Sequence, residues 1–270
     1  MSKELKRIHT SEVKEHLGKK VKVAGFVHTI RDQGQIKFIL LRDVTGIVQV
    51  VVLKKSDAFK QSDDLSLESV VEIIGTAKEE KQAPGGYEVS AEELTVLAAA
   101  EPERPIPVVV EKGGEETDIS KRLDWRWIDL RKPEKLEIFK VWNALERGVR
   151  NHVDSTGYTI AYAPSLLITP SESGSEVFEV TYFDRKAYLA QSPQFYKQAA
   201  MSAGFEKVFM SGAVFRAEPS FTTRHMTEFT GWDFEISYIN DHYDVMAEEE
   251  QMLIAAFKQL KKEVDVDVEV

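Results

Sequence analysis

The chain has 270 residues, 43% of them hydrophobic, enough for two ordinary domains or one large one with real cores. It contains no cysteine, which excludes a disulfide framework, a thiolate zinc site and nucleophilic cysteine chemistry. A formal net charge of -10 argues against holding nucleic acid by a broad basic surface and leaves only local basic sites for that purpose.

The first residues, Met1 to Arg7, carry no apolar segment behind them, and nowhere do about 18 uncharged apolar residues run together. A soluble, cytoplasmic protein with no membrane association is expected. Thr10-Ser11-Glu12-Val13 predicts a helix start, with Val13 and Leu17 on its apolar side and Gly18 as the stop. From Lys20 the pattern changes to strands: Val21-Val27, Ile36-Leu41 and Ile47-Leu53, with turn signals at Asp32-Gln33-Gly34 and Asp43-Val44-Thr45-Gly46. A polar helical stretch near Ser56-Asp63 follows. Two more strands, Val70-Thr76 and Tyr87-Leu97, flank the turn Ala83-Pro84-Gly85-Gly86. Five strands with a helix after the third match a small Greek-key barrel of the oligonucleotide-binding (OB) kind.

Such barrels stack unpaired bases on aromatic side chains of their central strands and contact phosphates with nearby basic groups. Phe26, His28, Arg31, Lys37 and Phe38 sit on the strands that would form this face. Side chains alternate along a strand, so at least one of the aromatics is expected to point inward.

Pro102, Pro105, Pro107 and then Lys112-Gly113-Gly114 mark a linker, placing the domain boundary near Glu103. The expected division is 1–103, a linker or hinge over 104–132, and a second domain over 133–270. Pro133 opens a long amphipathic helix in which Ile138, Trp142, Leu145, Val149 and Val153 recur at three and four residues, and Gly157 ends it. Strand-like segments are expected at Tyr158-Pro164, Phe178-Tyr182, Ala187-Ala190, Val208-Phe215 and Trp232-Tyr238. A final helix carries Val245, Met246, Met252, Leu253, Ala256, Phe257 and Leu260 at helical spacing. The second domain is therefore α+β with an antiparallel sheet.

The segment Val214-Phe215-Arg216-Ala217-Glu218, followed by a polar loop to Arg224-His225 and Phe229, carries the most chemistry. Arg216 and Glu218 stand two apart on a strand and so face one side. Arg216 and Arg224 bring two guanidinium forks together, each able to make paired hydrogen bonds to phosphate oxygens. The alternative is that Arg216 and Glu218 pair with one another on an exposed strand.

Phe-Arg-Ala-Glu with the downstream Thr-Arg-His and Thr-Glu-Phe-Thr-Gly resembles motif 2 of the class II aminoacyl-tRNA synthetases, archaeal-type aspartyl branch. The helix Pro133-Ser155 and the strand ending at Pro164 resemble motif 1. Tyr188-Leu-Ala-Gln-Ser-Pro-Gln194-Phe-Tyr-Lys197 is similar to the aspartate-binding segment, and Ser171-Glu172 through Phe178 to the loop that closes over the amino acid. The resemblance implies a ligase that activates aspartate with ATP and Mg2+ and transfers it to tRNA(Asp), with the barrel reading the anticodon. It implies Arg216 on the α-phosphate and substrate carboxylate, Glu218 on the adenine amino group, and Arg224 and His225, with neighbouring Met226, on the outer part of ATP. It further implies Phe229 stacked on adenine, Glu172 and Gln194 at the substrate ammonium, Lys197 at the side-chain carboxylate, and a homodimer through motif 1. Sister asparaginyl enzymes have an apolar residue at the position of Lys197, which weighs against that alternative; the intact motif weighs against a non-catalytic tRNA-binding paralogue.

Ser173, Ala213 and Pro219 depart from the family pattern. No glycine follows Gly231, so the third motif, Gly-x-Gly-x-x-Arg, is not within these residues. The metal ligands are expected beyond Val270, and the chain is expected to be a truncated piece, inactive alone. His28 and Pro84 occupy two barrel positions where, as the resemblance implies, His and Pro accompany relaxed tRNA choice, so tRNA(Asn) is an expected second partner. His28 and Pro84, with Phe26, Arg31 and Phe38, form the expected anticodon-reading set.

Overall fold

The computed structural model describes residues 5–109, 114–171, 176–220, 222 and 224–265. They form two compact units, Met1–Ile138 and Phe139–Val270.

In the first unit, β1 (Lys20–Asp32), β2 (Ile36–Asp43), β3 (Gly46–Leu53), β4 (Val70–Glu79) and β5 (Tyr87–Ala98) close a barrel in the order β1-β2-β3-β5-β4, with α1 (Asp57–Gln61) after the third strand. The strands form because valine and isoleucine recur at every second position, and closure gives each of those residues a shared interior. Val21, Val23, Val27, Ile39, Leu41, Val48, Val50, Val71, Ile73, Val89 and Leu94 fill it. The β3–β5 pairing is parallel and the others antiparallel, as a five-stranded Greek key requires.

Two local expectations change. The N-terminal helix is a 3₁₀ turn, Thr10–His16, in which Val13 is buried; Leu17 lies past its end with extended backbone and is exposed. Three residues per turn, not 3.6, separate Leu17 from the face of Val13. Neither Phe26 nor Phe38 points into the barrel. The β1–β2 register pairs Phe26 with Arg42 and Arg31 with Phe38, which sets both rings on the outer side while Val27, Ile39 and Leu41 point in. Lys37 leaves the expected binding face altogether: it is buried, 2.7 Å from Asp63 Oδ1, with its ammonium 4.6 Å from the Phe59 ring centre.

After the barrel come α2 (Ile119–Asp124), α3 (Arg126–Asp129) and the start of α4 (Pro133–Ser155). Ile106, Val108 and Ile128 form a small apolar cluster there.

The second unit holds most of α4, a three-stranded sheet ordered β11-β10-β6, a second sheet ordered β7-β9-β8, and helices α5 (Gln194–Ser202) and α6 (His242–Glu263). Strand bounds are β6 (Thr159–Ala161), β7 (Leu166–Leu167), β8 (Glu179–Tyr182), β9 (Arg185–Leu189), β10 (Lys207–Phe215) and β11 (Glu228–Ile236). Pairing is antiparallel except between β6 and β10. Gly157, at a φ of 81°, takes the left-handed conformation that ends α4. Val149, Val153, Tyr158, Phe209, Met252 and Ala256 make the core between sheet and helices. Gly148 lets α4 touch α6: a Cβ there would stand 2.6 Å from the Ala255 carbonyl oxygen and the Ala256 Cα.

Candidate active site and nucleic-acid face

The β10–β11 ladder positions the first site. Its register pairs Arg216's neighbour Val214 with Phe229, Gly212 with Gly231, Met210 with Asp233 and Val208 with Glu235. Directly opposed residues share a face, and so does every second residue, so Arg216, Phe229, Gly231, Asp233 and Glu235 lie on one side. Arg216 continues this side just past β10, its N–H donating to the Thr227 carbonyl at 3.0 Å. Its guanidinium carbon stands 5.6 Å from the Phe229 ring centre. The Arg216 Nε is buried and has no hydrogen-bond partner among the described residues. A buried donor left unpaired is costly, and an anion at this point would satisfy it. No ion pair joins Arg216 to Glu218 among the described residues, so the two are not each other's partner; Glu218 is half-buried and turns back through its N–H to the Arg216 carbonyl at 2.8 Å.

Lys197 reaches the same side from α5. It is the one buried residue recorded for that helix, and its Nζ lies 3.1 Å from Asp233 Oδ1 and 3.4 Å from Glu235 Oε2. Gln194 stands one turn earlier on α5 at i−3, on the same helix face, and is half-buried. Ser165, Ala190, Ser192, Pro193, Gly212 and Asp233 are among the residues lining a concavity on this side. Arg224, His225 and Met226 are exposed in the loop before β11. His225 Nδ1 shares a hydrogen bond with Thr222 Oγ1 at 2.5 Å, and none of the three contacts Arg216 among the described residues. Glu172 lies outside the described residues.

Asp233 and Glu235 were missed in reading the sequence. Their signal was the period-two pattern Trp232-Asp233-Phe234-Glu235-Ile236, which also fits an ordinary solvated strand face. Only the packing of α5 shows that a buried lysine sits against both acids.

On the barrel, the outer ends of β1 and β2 carry Arg31, exposed, with its guanidinium 5.9 Å from the Phe38 ring centre. The next row across the strands is Thr29, Leu40, Gln49 and Glu88, and Gln49 Nε2 donates to Glu88 Oε2 at 2.9 Å. Gln49 also escaped sequence reading, although it is the single polar side chain within Gly46–Leu53. Phe26 is held at the other end between two cations, with Arg131 4.5 Å and Arg42 5.4 Å from its ring centre. His28 lies at a bulge between Val27 and Thr29, its Nδ1 2.6 Å from Arg42 Nη1. Burial pushes its imidazole below the ordinary histidine value, and the Arg42 charge pushes the same way. Pro84 is exposed in a 3₁₀ turn, Pro84–Gly86, between β4 and β5. Strand order puts His28 and the Pro84 turn on opposite sides of the β1-β2-β3-β5 surface, roughly 14 Å apart at about 4.8 Å per strand.

Residues 118–269 match the family model described as tRNA synthetases class II (D, K and N). The chain belongs to that family. Residues 21–97 match the model of an OB-fold nucleic acid binding domain, which coincides with the barrel. The chain's curated relatives include archaeal aspartate–tRNA(Asp/Asn) ligases. It is 39% identical over 269 residues to the aspartate–tRNA(Asp/Asn) ligase of Methanopyrus kandleri, covering 98% of this chain and 62% of that protein. It is 42% identical over 252 residues to the enzyme of the same name from Aeropyrum pernix, covering 92% and 56%. The chain thus spans about 60% of the length of these relatives. Among solved structures, the asparaginyl-tRNA synthetase of Pyrococcus horikoshii bound to asparaginyl-adenylate superposes with a TM-score of 0.88 at 36% identity, covering 96% of this chain and 59% of that one.

Proposed function

We propose that this synthetase chain supplies the anticodon-reading barrel and part of the activating site of an aspartate–tRNA ligase that charges tRNA(Asp) and also tRNA(Asn). Residues 1–103 are assigned to the barrel, 104–132 to the linker and 133–270 to the activating domain. The observation that carries this reading is the buried Nε of Arg216, without a partner among the described residues and on the same side of the sheet as the Lys197 ammonium.

In the reaction, a substrate carboxylate oxygen attacks the α-phosphorus of ATP and pyrophosphate leaves; a tRNA hydroxyl then displaces AMP. Both partners of the first step are anions, so positional restraint and positive charge supply most of the acceleration. Arg216 holds the α-phosphate and the attacking carboxylate together through its fork. Phe229 offers its ring to adenine, and Glu218 accepts from the adenine amino group. Arg224 and His225, beside Met226, take the outer phosphates. Gln194 and Glu172 receive the substrate ammonium, and Lys197 the side-chain carboxylate. Lys197 faces Asp233 and Glu235, so binding aspartate requires it to share its charge.

The reading places Mg2+ on the ATP phosphates. Among the described residues no three His, Cys, Asp or Glu are grouped to hold a metal ion. No helix among them is long and apolar enough to cross a membrane, and a cytoplasmic homodimer formed through α4 is part of the proposal. The asparaginyl alternative has the likeness to the Pyrococcus structure behind it; Lys197, a cation suited to an anionic side chain, favours aspartate.

ATP–pyrophosphate exchange with aspartate and with asparagine, on a chain carried to the length of its relatives, tests the amino acid. Exchange with asparagine alone would defeat the proposal, and exchange with neither would point to the non-catalytic paralogue. Charging of purified tRNA(Asp) and tRNA(Asn) tests the second half. The 270 residues alone, without Gly-x-Gly-x-x-Arg, are held to be inactive.

A further inference from the structure

We infer that the aromatic tip of the β8–β9 hairpin, Tyr182 with Phe183, is a stacking platform for an unpaired base in the acceptor end of the tRNA. The inference rests on the proposal that this chain charges tRNA.

Tyr182 pairs with Arg185 at the end of the ladder, so Phe183 and Asp184 alone make the turn. Two-residue turns favour glycine where the backbone must be left-handed, because a Cβ is crowded there. Here that place is held by Phe183, at a φ of 54°. Burial does not offset the strain, since Phe183 is 85% exposed. Its recorded ring contact is with Tyr182, the centroids 4.8 Å apart and the planes at 73°. A large apolar residue that is strained and also left in water gains little from its own fold; a partner outside the chain accounts for both features.

The tip also indicates what that partner is. Set edge to face against Tyr182, the two rings leave flat surface open to solvent. Arg185 shares a face with Tyr182 and lies 3.5 Å from Asp184, while Lys186 pairs with Glu179 at 2.9 Å. With its charges matched, the tip suits stacking more than phosphate binding. Unpaired RNA ends are held in this way, their bases laid on aromatic rings. A second copy of the chain fits less well. Two aromatic side chains bury about 300–500 Å², short of the roughly 800 Å² per partner of a stable interface.

Position selects the segment of RNA. β9 runs from the tip toward Ala190, which lines the concavity beside Lys197, five residues beyond Arg185 and about 17 Å away at roughly 3.3 Å per residue. The terminal ribose of the tRNA must come to the activated aspartate in that region. Nucleotides a short way upstream then pass the tip, and they are the unpaired ones.

Phe183→Gly removes the ring and suits the left-handed backbone, so it leaves the fold at least as stable as the parent. In a chain of its relatives' length it should leave ATP–pyrophosphate exchange unchanged and lower kcat/KM for tRNA charging about tenfold, whereas Phe183→Trp should charge like the parent. A 2-aminopurine placed in turn at each unpaired acceptor-end position should be quenched by the parent at one of them, and that quench should vanish with Phe183→Gly. Unchanged charging, an equal fall in exchange, or no quench at any position overturns the inference and leaves the ligase proposal standing. Sedimentation showing that Phe183→Gly breaks a dimer also overturns it, in favour of a second copy. Absence of charging by the unaltered chain overturns both.

Discussion

Arg216 and Lys197 approach one face of the β10–β11 ladder from its two ends, with the Gly212–Gly231 pair between them. Arg216 and the Asp233 step lie about 20 Å apart along the strands at roughly 3.3 Å per residue, a gap that long side chains shorten from both sides. The paired glycines leave the floor of that gap bare. This layout predicts that charge at either end and flatness in the middle affect different parts of the reaction.

On the proposed assignment, Lys197→Leu in a chain of its relatives' length should reduce kcat/KM for aspartate by roughly two to three orders of magnitude, because the side-chain carboxylate would lose its partner charge, while ATP binding changes little. Arg216→Lys keeps the charge and loses the fork, and should cost exchange activity on the order of 100-fold with both substrates present. Steady-state exchange kinetics with each substrate varied in turn separate the two. An ATP KM that rises with Lys197→Leu as much as the aspartate KM contradicts the assignment.

A Cβ on Gly212 would have nothing within 4 Å, so the fold has no objection to a side chain there. Gly212→Val should leave the melting temperature within a few degrees of the parent yet lower aspartate activation at least about tenfold, by filling the floor of the site. Full activity in a stably folded variant would show that substrate does not cross this point.

Gly148→Ala tests the α4–α6 contact. An added methyl would collide with backbone atoms of Ala255 and Ala256 that cannot rotate aside. Overpacking of this kind costs about 1–3 kcal/mol, more than alanine's better helix propensity returns. Denaturant unfolding gives the number, and stabilisation would mean that the two helices separate easily.

Asp43 ties the N-terminal 3₁₀ turn to the β2–β3 turn. Burial by itself would raise its carboxyl, but hydrogen bonds from the side chains and backbone N–H groups of Thr45 and Thr10 hold it down to about 2. A folded value below the unfolded one means that the stabilisation is complete above about pH 4 and is lost as pH falls toward 2. Asp43→Asn should therefore cost about 2 kcal/mol near neutrality by linkage, with the difference from the parent shrinking below pH 4. A difference constant from pH 7 to pH 2 would remove the carboxylate from the explanation.

Reading residues in order was enough for the parts that local pattern controls. Valines at every second position predicted the barrel strands; apolar residues at three and four predicted α4 and α6; and Gly18 and Gly157 marked two helix ends with the positive φ they adopt. Motif 2 was legible through the resemblance carried by Phe215-Arg216-Ala217-Glu218, but the strand expected to carry Arg216 and Glu218 ends at Phe215, and the Glu218 N–H turns back to the Arg216 carbonyl. The tertiary structure decided who meets whom across long stretches of chain. Phe26 looked like a free stacking platform until Arg131, over a hundred residues later, covered it. Lys37 looked like a phosphate contact until α1 and the turn after it supplied Phe59 and Asp63 as its neighbours. His28 was a strand residue without visible neighbours until Arg42 and Glu68 met beside it, and Lys197 was a bare cation until β11 brought up Asp233 and Glu235. Secondary structure follows from the period of a segment, which is local. The charge state and availability of a side chain depend on neighbours that only folding of the whole unit assembles.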